Sequence, residues 1–155
     1  MIYKKLIIVA TLCLLSGACE TSRYSMRTPE GFAKYEKEEH VLKFVSSDSI
    51  RIKARSIKNE PYGDLTMWSD TVQHYLKSNG YHEVTAKELA TPDNIQGRYT
   101  EYSIRYNASD YIYGVALFVD TDTIYIIESG GEKKYYDKKR NSVLEAIKSF
   151  RTESR

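Results

Sequence analysis

The chain has 155 residues, and its 23 lysines and arginines against 21 aspartates and glutamates leave a formal net charge of only +2. So even a balance gives no electrostatic grip on nucleic acid or anionic lipid. A chain of this length suits a single domain and buries roughly two thirds of its unfolded surface, so it needs neither disulfide nor metal to hold it together.

Residues 1–18 have the layout of a secretory signal. A basic head with Lys4 and Lys5 precedes an apolar run over residues 6–15, and the small residues Ser16, Gly17 and Ala18 lead to Cys19. A cysteine directly after the small residues resembles a bacterial lipoprotein signal. The resemblance implies that Cys19 is the lipid attachment site, acylated with palmitate-type chains, and the first residue of the mature protein. Such signals usually carry Leu where Ser16 stands; here Leu15 is one place further away. Ordinary cleavage near Ala18 and an uncleaved anchor are the alternatives, the second with a run short of the about 20 apolar residues of a span. Loss of residues 1–18 removes Lys4, Lys5 and Cys13, so the mature side-chain charge is balanced. With Cys19 modified, no thiol remains for a disulfide, a nucleophile or a zinc site. Membrane attachment then rests on acyl chains, each buried methylene contributing about 0.8 kcal/mol. Export to the envelope also argues against a nucleic-acid partner.

Residues 19–30 are polar without apolar periodicity and read as a flexible tether. The ordered domain is expected over residues 31–150, with 151–155 as a C-terminal tail. Residues 32–36 suit a short edge strand, followed by a solvated turn at Glu36-Lys-Glu-Glu39. Residues 40–45 and 50–57 suit a hairpin; in the second run Ile50, Ile52 and Ala54 alternate with Arg51, Lys53 and Arg55. Asn59-Glu-Pro-Tyr-Gly63 breaks the pattern. A helix follows, N-capped by Asp64, with Leu65, Trp68, Val72, Tyr75 and Leu76 inward and a stop at Asn79-Gly80. Residues 81–89, 97–106, 111–119 and 123–129 read as strands joined by short polar links, an antiparallel meander. Gly130-Gly131 ends it, and residues 133–150 form a second amphipathic helix with Tyr136, Val143, Leu144, Ile147 and Phe150 inward.

Segregated strands and helices argue an α+β fold, an antiparallel sheet with two main helices packed on it in an α/β sandwich. The Gly31-Phe32 start, the hairpin, Trp68 with Asn79-Gly80-Tyr81 after its helix, the Ala116-Leu-Phe-Val119 strand and the Ile147-Lys-Ser-Phe150 close resemble the photosystem II extrinsic-protein (PsbP-like) superfold. That superfold is shared with a nuclear-import cofactor that binds a small GTPase, and similar segments occur in uncharacterised bacterial lipoproteins. The resemblance covers residues 31–150 and implies a non-catalytic accessory or binding domain.

Chemistry-bearing residues are dispersed. His40, His74 and His82 have no metal-ligand spacing. Asp120-Thr-Asp122 lacks the glycine and distal glutamate of a calcium loop and reads as a hairpin turn. Ser129-Gly130-Gly131 before a helix offers backbone N–H groups to an anion, with a plain connector as the simpler reading. Glu101 and Glu128, on nearby strands, are the one candidate carboxylate pair for acid–base work, Glu128 standing out beside Ile124 and Ile126; a salt bridge is the simpler account. Lys133, Lys134, Lys138, Lys139 and Arg140 read as a solvated helix face, or as a contact for lipid headgroups or an acidic partner. Tyrosines crowd three strands: Tyr111 and Tyr113 share a face with Val115 and Leu117, and Tyr99 lies opposite Tyr102 and Tyr106.

These residues assign no catalytic group, cofactor or metal. They lead to a membrane-anchored envelope lipoprotein, its domain outside the cytoplasm, that binds an envelope protein partner. A binder of glycan or lipid fragments in a tyrosine-lined groove is the alternative, and a hydrolase the last.

Overall fold

The computed structural model describes residues 24–35 and 41–152. The signal, Cys19, the 36–39 turn, His40 and residues 153–155 lie outside the described residues.

Among the described residues nine strands and two helices follow in the order β1 (Tyr24–Ser25), β2 (Phe32–Lys34), β3 (Leu42–Ser46), β4 (Arg51–Lys58), α1 (Leu65–Ser78), β5 (His82–Ala90), β6 (Gln96–Tyr106), β7 (Ser109–Val119), β8 (Thr123–Glu132), α2 (Lys133–Lys148) and β9 (Arg151–Thr152). Seven strands make one antiparallel sheet in the order β2-β3-β4-β8-β7-β6-β5. The helices lie on opposite faces of it. On β7, Ile112, Ala116 and Phe118 point to α2, while Val115 and Leu117 point to α1. An apolar strand of this kind, filled on both alternations, requires cover on both sides. One core therefore joins Phe44, Ile52, Phe118 and Ile127 to Tyr136, Val143, Ile147 and Phe150. The other joins Tyr102, Val115, Leu117 and Ile124 to Leu76, with Trp68 and Val72 packed against it.

The α1 boundaries follow from their capping. Asp64 accepts the Met67 N–H at 2.8 Å. At the other end Gly80 takes φ +84° while Tyr81 N–H reaches back to the Leu76 carbonyl at 3.1 Å. Tyr75 is 66 % exposed, although the periodicity places it inward. Leu76 is the buried residue of that turn, and its neighbour lies about 100° further round the helix.

The ends of the domain differ from the sequence expectation. Described residues of the expected tether are packed: Tyr24–Ser25 pairs with Arg151–Thr152, and the Tyr24 ring lies 5.6 Å from Phe150 and 6.0 Å from Tyr125. Burial pushes the Tyr24 phenol up to about 12, and its hydroxyl donates to the Ala54 carbonyl at 3.1 Å. Residues Arg151 and Thr152 of the expected tail form β9, and the Thr152 N–H donates to Asp93 at 2.9 Å. Tyr24 and Met26, packed against the α2-side core, and buried Pro29 supply the burial that polar composition hides.

The 59–63 loop is closed by one side chain. The Asn59 amide donates to the Gly63 carbonyl at 2.9 Å, and its oxygen accepts Gly63 N–H at 3.0 Å and the Trp68 indole at 2.8 Å. Replacement by alanine leaves buried groups unpaired, so Asn59→Ala is expected to lower stability by about 2 kcal/mol. Urea unfolding with near-ultraviolet dichroism of Trp68 checks this.

Candidate functional site

The two carboxylates singled out by sequence do not meet. Glu101 pairs across the sheet with Gly114 and shares the α2 face with Tyr99. Glu128 pairs with Val115 and lies on the α1 face. One residue of register separates the two faces. Glu128 accepts Arg55 at 3.2 Å and the Tyr113 hydroxyl at 2.7 Å, the expected salt bridge with an aromatic partner added. The suspicion attached to it belongs to Glu101, which is 1 % exposed.

Beneath α2 runs a continuous chain of buried polar groups. Arg140 Nε donates to both Glu101 oxygens at 3.1 Å. The Tyr99 hydroxyl donates to Glu101 Oε1 at 2.9 Å and lies 2.9 Å from the Tyr136 hydroxyl, which lies 2.7 Å from Ser129 Oγ. Each hydroxyl has one proton, so donation runs in one direction: Ser129 to Tyr136, Tyr136 to Tyr99, Tyr99 to the carboxylate. Gly114 makes room for the chain. A Cβ there would sit 2.5 Å from Ser129 Oγ and 2.6 Å from the Tyr99 hydroxyl.

Burial raises the pKa of the Tyr99, Tyr102, Tyr113 and Tyr136 phenols. At Tyr99 the neighbouring Tyr136 and then Glu101 add to it, and at Tyr113 Glu128 does so. A raised folded pKa gives stability that is complete below the unfolded value, near pH 10, and is lost as pH climbs toward the folded values. Stability is therefore expected to hold to about pH 9 and fall above about pH 10. The tyrosinate absorbance that belongs to these four phenols should appear only with loss of ellipticity; ionisation of every tyrosine in an intact fold would contradict the burial argument.

Arg140 corrects the expected solvated basic face. Lys133 does pair with Asp137 at 2.5 Å and Lys134 with Glu132 at 2.9 Å, but Arg140 turns inward to Glu101 while also holding Asp137 at 2.9 Å. Its position four residues after buried Tyr136 and three before buried Val143 was the available signal. Ser129-Gly130-Gly131 is neither the expected connector nor an anion loop. Both glycines lie inside β8, paired with Tyr113 and Ile112, and a Cβ on Gly131 would meet Ile50 at 2.3 Å. Close packing, not a phosphate cradle, calls for glycine there. The Asp120–Asp122 segment is a hairpin turn closed by Asp120 N–H to the Thr123 carbonyl at 2.9 Å. His74 and His82 are exposed, and no cluster of metal-ligating side chains occurs among the described residues.

The tyrosines divide as alternation requires. Tyr99 and Tyr102 are buried on opposite faces, the Tyr113 ring lies tilted against Tyr81 at 5.8 Å, and Tyr106 projects into solvent. Among the described residues they do not line a groove. The space between α1 and the sheet, lined by Ser69, Thr100 and Tyr102, is about 10 Å³, the room of one water. A wider cleft of about 360 Å³ at the start of α2 is open and charged, with Asp110, Glu132, Lys133 and Asp137 among its walls.

No family model matches the sequence, and no curated protein sequence is similar enough to match. Solved structures do match. LpqN of Mycobacterium tuberculosis, described as involved in cell envelope biogenesis, superposes with a TM-score of 0.70 at 10 % identity, over 90 % of this chain and 88 % of that one. Cyanobacterial PsbP (CyanoP) from Synechocystis gives 0.56 at 13 % identity, over 92 % and 99 %. PA94, a protein of unknown function from Pseudomonas aeruginosa, gives 0.64 at 6 % identity, over 80 % and 99 %. At such identities the likeness speaks of the fold alone, and the fold of this chain is PsbP-like, an antiparallel sheet with two helices packed on it.

Proposed function

We propose that this protein is a lipid-anchored component of a bacterial cell envelope whose PsbP-like domain binds another envelope protein and carries out no chemistry of its own. The observation that carries the reading is the closure of the buried polar chain. Glu101 is occupied by Arg140 and Tyr99 and covered by α2, and Glu128 is held by Arg55 on the other face. A general acid or base must reach the proton that it transfers, and these two carboxylates hold the fold together instead. The layout around Cys19 supports the anchor, and the fold shared with LpqN supports an envelope role. Among the described residues no helix is long and apolar enough to cross a membrane, so attachment in this reading rests on Cys19.

Crosslinking and affinity capture from intact envelopes, with Cys19→Ala as the unanchored control, tests the proposal. The expected result is one stoichiometric partner seen only with the anchored form. Equal membrane recovery of Cys19→Ala would remove the anchor from the reading. Anchored protein that captures nothing would favour a small ligand.

A further inference from the structure

The packing of Tyr24 has a geometric consequence for a chain anchored at Cys19. Only residues 20–23 separate the two, and five fully extended residues reach at most about 18 Å. A domain of this size is roughly 35 Å across. The anchor therefore holds down one end of the molecule instead of letting it stand off. That end is identified by the partners of Tyr24: Phe150 just beyond α2, and Tyr125, which sits across from Ser56 near the end of β4.

The same end exposes apolar side chains. Ile57 is the next residue of β4 and is 40 % exposed. The 59–63 loop that follows, tied by Asn59 to the carbonyls of Asp120 and Thr121, presents Tyr62 at 73 % exposure. Met67, also 40 % exposed, lies against Gly63 beside it. A tyrosine with aliphatic neighbours is the combination that favours the headgroup boundary of a bilayer. Glu60, Asp120 and Asp122 are exposed around this patch and outnumber Lys58 beside Ile57, so its contact with lipid is apolar and not an attraction to anionic headgroups.

We infer that Ile57, Tyr62 and Met67 form a second, non-covalent membrane contact that seats this end of the domain on the bilayer. The inference rests on the lipid-anchor reading above. Trp68, the single tryptophan of the chain, bonds to Asn59 next to the patch and reports on it.

The test uses full-length mature protein, its acylation at Cys19 verified by intact mass, in vesicles of phosphatidylethanolamine and phosphatidylglycerol with brominated acyl chains. Trp68 emission is expected to be quenched relative to unbrominated vesicles. High salt, which screens charge but not apolar contact, should leave the quenching unchanged. Tyr62→Ser with Met67→Ser should abolish it while the protein stays on the vesicles with unchanged far-ultraviolet dichroism. Acylated, vesicle-bound protein without quenching overturns the inference and leaves the anchor standing. Mature protein without acyl chains overturns the anchor and this inference with it. Loss of a crosslinked envelope protein in the double variant, with quenching intact, would assign the patch to a protein partner and overturn the bilayer contact.

Discussion

Arg140→Ala is expected to lower the unfolding free energy by about 3 kcal/mol at neutral pH, the low end of the cost of stranding a buried charge. The asymmetry between the partners sets the size of the effect. Arg140 is about one-third exposed and water reaches it, whereas Glu101 is 1 % exposed and has only Tyr99 left to donate to it. Losing the arginine therefore leaves a carboxylate with its charge uncompensated beneath α2. Urea unfolding of Arg140→Ala measures the loss. The double variant Glu101→Met with Arg140→Met should be less destabilised than Arg140→Ala, because an apolar pair of similar volume removes the desolvation penalty along with the attraction. If the double variant is the weaker of the two, the chain of hydroxyls depends on the carboxylate more than on the ion pair. A fall of under about 0.5 kcal/mol for Arg140→Ala, the size of an ordinary surface change, would mean that Glu101 finds another partner.

Gly114→Ala is expected to cost a similar amount, about 3 kcal/mol, by a different route. Gly114 has no positive φ, so an alanine fits its backbone. The obstacle is space: the new methyl would lie 2.5 Å from Ser129 Oγ, 2.6 Å from the Tyr99 hydroxyl and 3.0 Å from that of Tyr136. All three atoms belong to one hydrogen-bonded chain, so relief for one stretches the bonds of the others. Thermal and urea unfolding give the loss directly. Adding Ser129→Ala removes the nearest of the three contacts and should restore part of the stability. No restoration would place the strain at the tyrosines.

How far the fold could be read from sequence depended on the range of the forces involved. The α1 helix was legible because capping is local: Asp64 and Gly80 act within four residues of themselves. The separation of Tyr99 from Tyr102 was legible because a strand alternates strictly. Glycines in pairs read as a break, yet Gly130 and Gly131 continue β8, and the need for Gly131 arises from Ile50, just before β4 and far away in sequence. In the same way, Arg140 lies 39 residues from Glu101 and looks like one cation among several until α2 is laid on the sheet.

The sequence by itself determined the alternation of each strand, the ends of α1, the α+β class and the layout around Cys19, because periodicity, capping and leader composition are properties of adjacent residues. Only the tertiary structure decided that the helices cover opposite faces, that Glu101 and Glu128 are divided by the sheet, and that Tyr24 is held by Phe150 and Tyr125 at the end of the molecule where Tyr62 is exposed. Those outcomes come from burial and desolvation, and each depends on which distant side chains share a layer.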